Sequence, residues 1–264
     1  MLESKLFISF INSEDYKSST YNGYSLGTDD VIIYTLHLPE YIELTKDLVH
    51  YLNPEEQIRF ERYFKEKDRN LFVICRAILK FVLAAHTKLD VNNINLDYHI
   101  NKKPYLASHP WLNFNVSHSE NFAVIAISQS HVGIDIEYIA QDFNFTDLMP
   151  DIFNDDEILD IQNAANKEYA FYSSWTRKEA FVKALGKGID NDFKNIPCLN
   201  GHHGIDSALL KTTENWQVYG FDLAENYLGA IAVQSSLTNS KNITINTLPK
   251  TIKELLEITQ LKDD

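Results

Sequence analysis

Cysteine is nearly absent from the chain. Cys75 and Cys198 stand far apart with no CxxC spacing, which argues against a disulfide scaffold or a zinc ribbon and fits a reducing compartment. The one apolar run near the start, residues 6–11, is broken by Ser9, is too short for a signal h-region and lacks a cleavage site. No stretch reads as a transmembrane span, so the expectation is a cytoplasmic protein with no membrane partner. The one GxSxG match, residues 23–27, precedes a predicted strand instead of joining a strand to a helix, which ranks a hydrolase triad low. Positive charge is also short, with 24 Lys+Arg against 37 Asp+Glu, a net charge of −13 and a pI near 5.1. An acidic chain has no global attraction for nucleic acid or for an anionic membrane. What remains is ordinary for a soluble globular protein: 44% apolar and 23% charged residues in a 264-residue chain, enough for one large domain or two of usual size.

The charge is uneven. Between positions 104 and 166 there is no Lys or Arg, and that segment sums to −10. Segments 55–103 and 167–187 each carry +3, and both read as helical. Such unevenness arises by fluctuation in any sequence, or it marks an anionic ligand held between basic helices, with carboxylates and a cation nearby. Residues 31–38 (VIIYTLHL) read as a strand. Asn53-Pro54-Glu55-Glu56 reads as a helix start, with Pro near N1 and acids in the first turn. Helix is expected from Pro54 to about Thr87, in one piece or two, followed by an alternating segment at 94–100. Strands at 112–116 and 122–128 flank the turn Ser117-His118-Ser119-Glu120-Asn121, and a third strand covers 132–138. The second half repeats this order: an acidic helix near 154–164, a long helix at 168–185 ending at Gly186, and strands near 216–223 and 227–235. Phe81-Val82-Leu83-Ala84 echoes Phe181-Val182-Lys183-Ala184 at an offset of 100, and NFAVIAIS (121–128) echoes NYLGAIAVQS (226–235). These echoes suggest a diverged duplication of one α+β unit, joined near 129–133, or a chance likeness between apolar stretches. The division expected is 1–130 and 131–264, the latter ending in an amphipathic helix at 248–261 that docks on the body.

Three segments carry chemistry. In Val132-Gly133-Ile134-Asp135-Ile136-Glu137 a strand sends the isoleucines to the core and sets Gly133, Asp135 and Glu137 on the other face. This is either an exposed polar face or a carboxylate pair held together by a cation. A hard ion such as Mg²⁺ suits two carboxylates plus substrate phosphates. Glu179 and Lys183 are i,i+4 neighbours on the long helix, which a surface ion pair would also explain. Asn115-Val116-Ser117-His118-Ser119 offers a hydroxyl, an imidazole and turn N–H groups as a phosphate grip. His202-His203, in an Asn-Gly-rich loop, offers a metal-ligand pair or, as the stronger reading, an exposed loop pair.

Taken in order, Lys103-Pro104, FNVSHS (114–119), VGIDIE (132–137) and WTRKEAFVKALGKG (175–188) resemble the 4′-phosphopantetheinyl transferases of the Sfp type, over roughly residues 53–190. The resemblance implies an α+β pseudo-dimer of two similar halves, monomeric, unlike the shorter, trimeric holo-carrier synthases. It implies transfer of the phosphopantetheine arm of coenzyme A to a serine of an apo acyl or peptidyl carrier protein, releasing adenosine 3′,5′-bisphosphate. On this basis Asp135, Glu137 and Glu179 hold Mg²⁺, Glu179 serves as base directly or through water, and Lys183 stabilises the leaving phosphate. Ser117 and His118 grip phosphate, Asn115 shapes the turn, and Lys103 and Arg59 contact coenzyme A, with Arg76 and Lys80 as further candidates. Leu71 departs from the family pattern where a second basic residue is common, and Lys102 stands where glycine is common. A coenzyme A-binding module without catalysis, or a Mg²⁺-dependent coenzyme A hydrolase, are the rival readings.

Overall fold

The computed structural model describes residues 3–12, 14–20, 26–190, 192–210, 213–235 and 242–260. Its strands are β1 (Glu3–Phe10), β2 (Lys17–Thr20), β3 (Asp30–His37), β4 (Asp97–Tyr98), β5 (Pro104–Tyr105) and β6 (Asn113–Ser119). They continue with β7 (Phe122–Ser128), β8 (Val132–Tyr138), β9 (Gly201–Asp206), β10 (Trp216–Ala224), β11 (Tyr227–Gln234) and β12 (Asn242–Thr247). The helices that matter here are α1 (Pro54–Glu61), α2 (Glu66–Thr87), α3 (Asp155–Asn163), α4 (Lys167–Leu185) and α5 (Ile252–Thr259).

Two five-stranded sheets form, in the orders β2-β12-β3-β7-β6 and β8-β11-β10-β1-β9. Each contains the same antiparallel trio, β3-β7-β6 in one and β8-β11-β10 in the other. Period-2 alternation explains the layering. On β3 and β7, Val31, Ile33, Val124 and Ala126 face the second sheet, whose Ile134, Ile136, Ile231 and Val233 meet them. The alternate residues Ile32, Tyr34, Ile125 and Ile127 face outward against α2, and Ala230 and Ala232 of β11 lie against α4. The result is helix, sheet, sheet, helix, two similar α+β halves joined face to face.

The halves repeat in detail. Asn53 and Asn154 each cap a short helix in a capping box closed by Glu56 and Glu157. Each of these buried glutamates then takes a lysine from the long helix that follows, Lys80 at 2.8 Å and Lys178 at 2.8 Å. The remaining donors of the lysines go to backbone carbonyls, Tyr51 O for Lys80 and Lys194 O and Ile196 O for Lys178. A buried charge needs such company.

Several expectations are corrected. The sheets do not divide at residue 130: β1 lies in the second sheet, and β12 with α5 lies in the first half, where Leu255 and Ile258 enter the core beside α2. The polar turn is shorter than expected, because Ser117, His118 and Ser119 continue β6 and the reversal falls on Glu120 and Asn121, with Glu120 at φ +44. The 94–100 segment is not a full strand. Ile94 is buried after a 3-10 turn and only Asp97–Tyr98 pairs, with Pro104–Tyr105. His202 and His203 sit on the edge strand β9 rather than in a loop, with His202 against Phe7 and His203 bonded to Leu199 O. By length and composition α2 could cross a membrane, although 61% of its most apolar stretch is buried here as a core helix.

Candidate active site

The site lies where the edge strands β6 and β8 of the two sheets meet. Among the described residues β8 has no strand partner on its outer side, so the N–H groups of Ile134, Ile136 and Tyr138 need acceptors. Side chains of β6 supply them: Asn115 Oδ1 takes Ile134 N at 2.9 Å, Ser117 Oγ takes Ile136 N at 3.4 Å, and Ser119 Oγ takes Tyr138 N at 3.0 Å. Residues 115, 117 and 119 alternate along one face of β6, and together they zip the halves. The same serines donate onward, Ser117 to Asp135 Oδ1 at 2.9 Å and Ser119 to Glu137 Oε2 at 3.0 Å.

Asp135 and Glu137 stand beneath α4, on the face of β8 opposite the isoleucines. Gly133 makes this possible, since a Cβ there would lie 2.2 Å from Ala180 O and Ala184 N. Lys183, in the last turn of α4, reaches Asp135 Oδ1 at 2.6 Å and Ser117 Oγ at 3.0 Å. Its ion pair is therefore across to β8 and not a surface bridge along the helix. Trp175, also on α4, lies beside Glu137 and partly offsets the rise of its carboxyl.

Like charge is concentrated here. Burial raises the Asp135 carboxyl, outweighing Lys183 and the Ser117 hydrogen bond. Burial and Asp135 raise Glu137, and burial with Asp135 and Glu137 pushes Glu179 up to about 7. An acid raised in the fold stabilises it only while protonated there. The unfolded chain loses that proton near 4.5 and the folded one near 7, so stability falls as pH climbs through this window. In chelator, Glu179→Gln is expected to abolish a loss of about 1–2 kcal/mol between pH 4.5 and 7, after discounting for solvent screening. Denaturant melts at the two pH values check it; equal pH dependence in wild type and variant would contradict the assignment.

Whether these acids suit a cation can be judged from the chain itself. Among the described residues no group of three His, Cys, Asp or Glu is gathered closely enough to hold a metal as it stands. Yet among the described residues Asp135 Oδ2 is buried without a hydrogen-bond partner, Asp135 raises Glu137, both raise Glu179, and all three are hard oxygen donors. The residues fit a divalent cation.

The opposite face of β6 turns His118 and Val116 into a cleft of about 350 Å³, shared with Arg59, Arg76, Leu71 and Cys75. The cleft walls and the nearby Lys183 ammonium hold the His118 ring below the usual imidazole range, so it is neutral at pH 7. Arg59 lies 5.0 Å over Phe72. Arg76 pairs with Glu56 at 3.6 Å and donates to Tyr98, but its Nη1 is buried with no partner among the described residues. A buried guanidinium nitrogen left bare beside a cleft suits an anionic ligand.

The structure thus gathers Asp135, Glu137, Glu179, Lys183 and Ser117 in one site, and Arg59 and His118 in the cleft beside it. Ser117 and Asn115 are placed as the zipper and not as a turn grip. Lys80 is bound to Glu56 and Tyr51 O and does not line the cleft. Lys103 is also redirected: its ammonium donates to Val132 O, Lys183 O and Ala184 O instead of pointing at a phosphate, and burial brings it down to about 8. Lys102 takes φ +62, the left-handed conformation that favours glycine. Ser119 and Trp175 were missed, although the i, i+2, i+4 spacing of Asn115, Ser117 and Ser119 is a readable strand face.

Two family models match the chain in tandem. Residues 39–130 match the model described as 4′-phosphopantetheinyl transferase, N-terminal, and residues 131–232 match that of the 4′-phosphopantetheinyl transferase superfamily. The 4′-phosphopantetheinyl transferase psf-1 of Bacillus pumilus is 31% identical over 179 residues, which cover 67% of this chain and 69% of that relative. The chain belongs to the 4′-phosphopantetheinyl transferase superfamily. The 4′-phosphopantetheinyl transferase HetI of a Nostoc species is 28% identical over 215 residues, 79% of this chain and 90% of HetI. Sfp of Bacillus subtilis is 25% identical over 149 residues, 56% of this chain and 66% of Sfp, just under two thirds of that relative. As a phosphopantetheinyl transferase of the Sfp type, the chain carries both α+β halves in one polypeptide, and the acids and Lys183 lie on the half matched by the superfamily model.

Proposed function

We propose that the protein transfers the 4′-phosphopantetheine arm of coenzyme A to a serine of an apo acyl or peptidyl carrier protein, with Mg²⁺, releasing adenosine 3′,5′-bisphosphate. The observation that carries this reading is the juxtaposition of the carboxylate cluster and Lys183 with a cleft holding Arg59, His118 and the bare Arg76 nitrogen. Together they suit a diphosphate whose two ends need different partners.

In this reading Arg59, Arg76 and neutral His118 bind the nucleotide phosphates in the cleft. Asp135, Glu137 and Glu179 would hold Mg²⁺, which when bound neutralises diphosphate charge and leaves the phosphorus open to attack. Glu179, directly or through a water, accepts the serine proton. Lys183 donates to the phosphate oxygen that gains charge as the bond to the arm breaks, an interaction strongest in the transition state. Ser117 holds both Asp135 and Lys183 in place for this. A cytoplasmic location and a monomeric state belong to the same proposal.

Incubating the purified protein with coenzyme A, Mg²⁺ and a panel of apo carriers is expected to add about 340 Da, the mass of the arm, to one of them. A carrier with its acceptor serine replaced by alanine should gain nothing. Binding of coenzyme A with no mass change on any carrier would sink the proposal, and hydrolysis without a carrier would make the site a hydrolase. His118→Ala is expected to weaken coenzyme A binding about tenfold while leaving turnover at saturation nearly unchanged. Calorimetric titration decides it, and an unmoved affinity would remove His118 from the phosphate contacts.

A further inference from the structure

The turn between β4 and β5 belongs to the first half, yet its side chains reach into the second. Asn101 Nδ2 donates to Gly186 O at 2.9 Å. Lys103 Nζ donates to Lys183 O at 2.7 Å, Ala184 O at 3.0 Å and Val132 O at 2.9 Å. Lys183, Ala184 and Gly186 form the last turn and cap of α4, where the dipole is negative and carbonyls run short of N–H partners, Lys183 O keeping only a 3.2 Å bond from the cap residue Gly186. Val132 is the first residue of β8. The Lys103 stem lies over the helix cap as well, since a Cβ on Gly186 would sit 3.4 Å from Lys103 Cδ. With three carbonyls accepting from it, the ammonium has no N–H left for a phosphate.

We propose that Lys103 is a positioning residue of the active site, a cation from the first half that locks the end of α4 to the start of β8. The inference rests on the transferase reading of that site. The lock acts on the backbone of Lys183 itself and on a point three residues before Asp135, so it fixes both ends of the Lys183–Asp135 pair. Without the ammonium, three carbonyl dipoles converge on a half-buried space with no donor between them. They separate by moving the helix end from the strand, and a displacement on the order of 1 Å at reacting groups costs up to about 10²-fold in rate.

Lys103→Met keeps the stem and removes the charge. Three measurements on the full chain test it: coenzyme A affinity by calorimetry, amide exchange across 131–137 and 180–187 with 66–87 as internal reference, and transfer kinetics split into kcat and KM. The expected result is coenzyme A affinity within about twofold of wild type, exchange about tenfold faster in the two segments alone, and kcat lower by about 10–10²-fold with KM unmoved. Lys103→Arg, which keeps a cation with several donors, should recover part of the exchange protection and of kcat. Affinity weakened about tenfold with unchanged exchange would make Lys103 a phosphate ligand and overturn the proposal. A variant equal to wild type in all three would overturn it too. Should Lys103→Met not fold, Asn101→Ala releases only the Gly186 carbonyl, and exchange at 184–187 must then rise or the proposal fails. Exchange and affinity need no carrier, so a wild-type protein that transfers nothing would refute the transferase reading while leaving the lock itself to be judged by these two results.

Discussion

Gly133→Ala is expected to lower the unfolding free energy by about 3 kcal/mol, at the upper end of what an added methyl in a packed interior costs. The reason is what the methyl would meet. Ala180 O and Ala184 N lie 2.2 Å from the new Cβ and Ala184 Cα lies 2.8 Å away, all backbone atoms of α4 that no rotamer change can move. Either β8 or the helix must retreat, and the helix carries Glu179 and Lys183. Transfer should therefore fall together with stability, and the melting temperature should drop by roughly 5–10 °C for a domain of this size. Gly188→Ala is the control: it has φ +75 but nothing within 4 Å of a new Cβ, so only backbone strain of about 1 kcal/mol is expected. Denaturant melts compare the two directly. A Gly133→Ala protein that melts like the control would show that strand and helix are not in backbone contact.

Asp135→Asn should separate activity from stability in the opposite sense. The Asp135 carboxyl is 3% exposed, one of its oxygens has no partner, and burial raises its titration despite Lys183 and Ser117. Asparagine keeps an acceptor for Ser117 and removes a charge that the fold disfavours. The Lys183 side chain, 30% exposed, can turn to water. Transfer is expected to fall by about 10³-fold or more, since the loss removes both the cation site and the partner of Lys183. In chelator the melting temperature should hold or rise. Added Mg²⁺ should stabilise wild type by mass action and leave the variant unmoved. A melting temperature lowered as much as by a core truncation would mean that the acid is there to hold the fold.

Much of this was legible in the residues. Alternation in 132–137 placed Ile134 and Ile136 in the core and the acids opposite, and Asn53, Asn154 and Gly186 marked helix ends where the structure has them. Local signals act within a few residues, and such features need nothing more. Lys103, Lys80 and Ser117 have neighbours that the local sequence does not show. The polar groups nearest to them are backbone carbonyls, a buried glutamate and strand-edge N–H groups, brought up from distant parts of the chain. A lysine before proline looks the same in sequence whether it faces a phosphate or a helix end. The exchange of β1 and β12 between sheets was hidden likewise, because parallel pairing at separations above 200 residues leaves no periodic trace.

That exchange bears on how the molecule is made. The first half needs β12, which ends at Thr247, to fill the gap between β2 and β3, and the second half takes β1, which lies more than 200 residues before its partner β10. On the ribosome the first sheet cannot close until β12 has emerged, and β1 must wait more than 200 residues for β10. The two halves, expressed separately at the 130/131 boundary, would each miss a strand that only the other fragment carries.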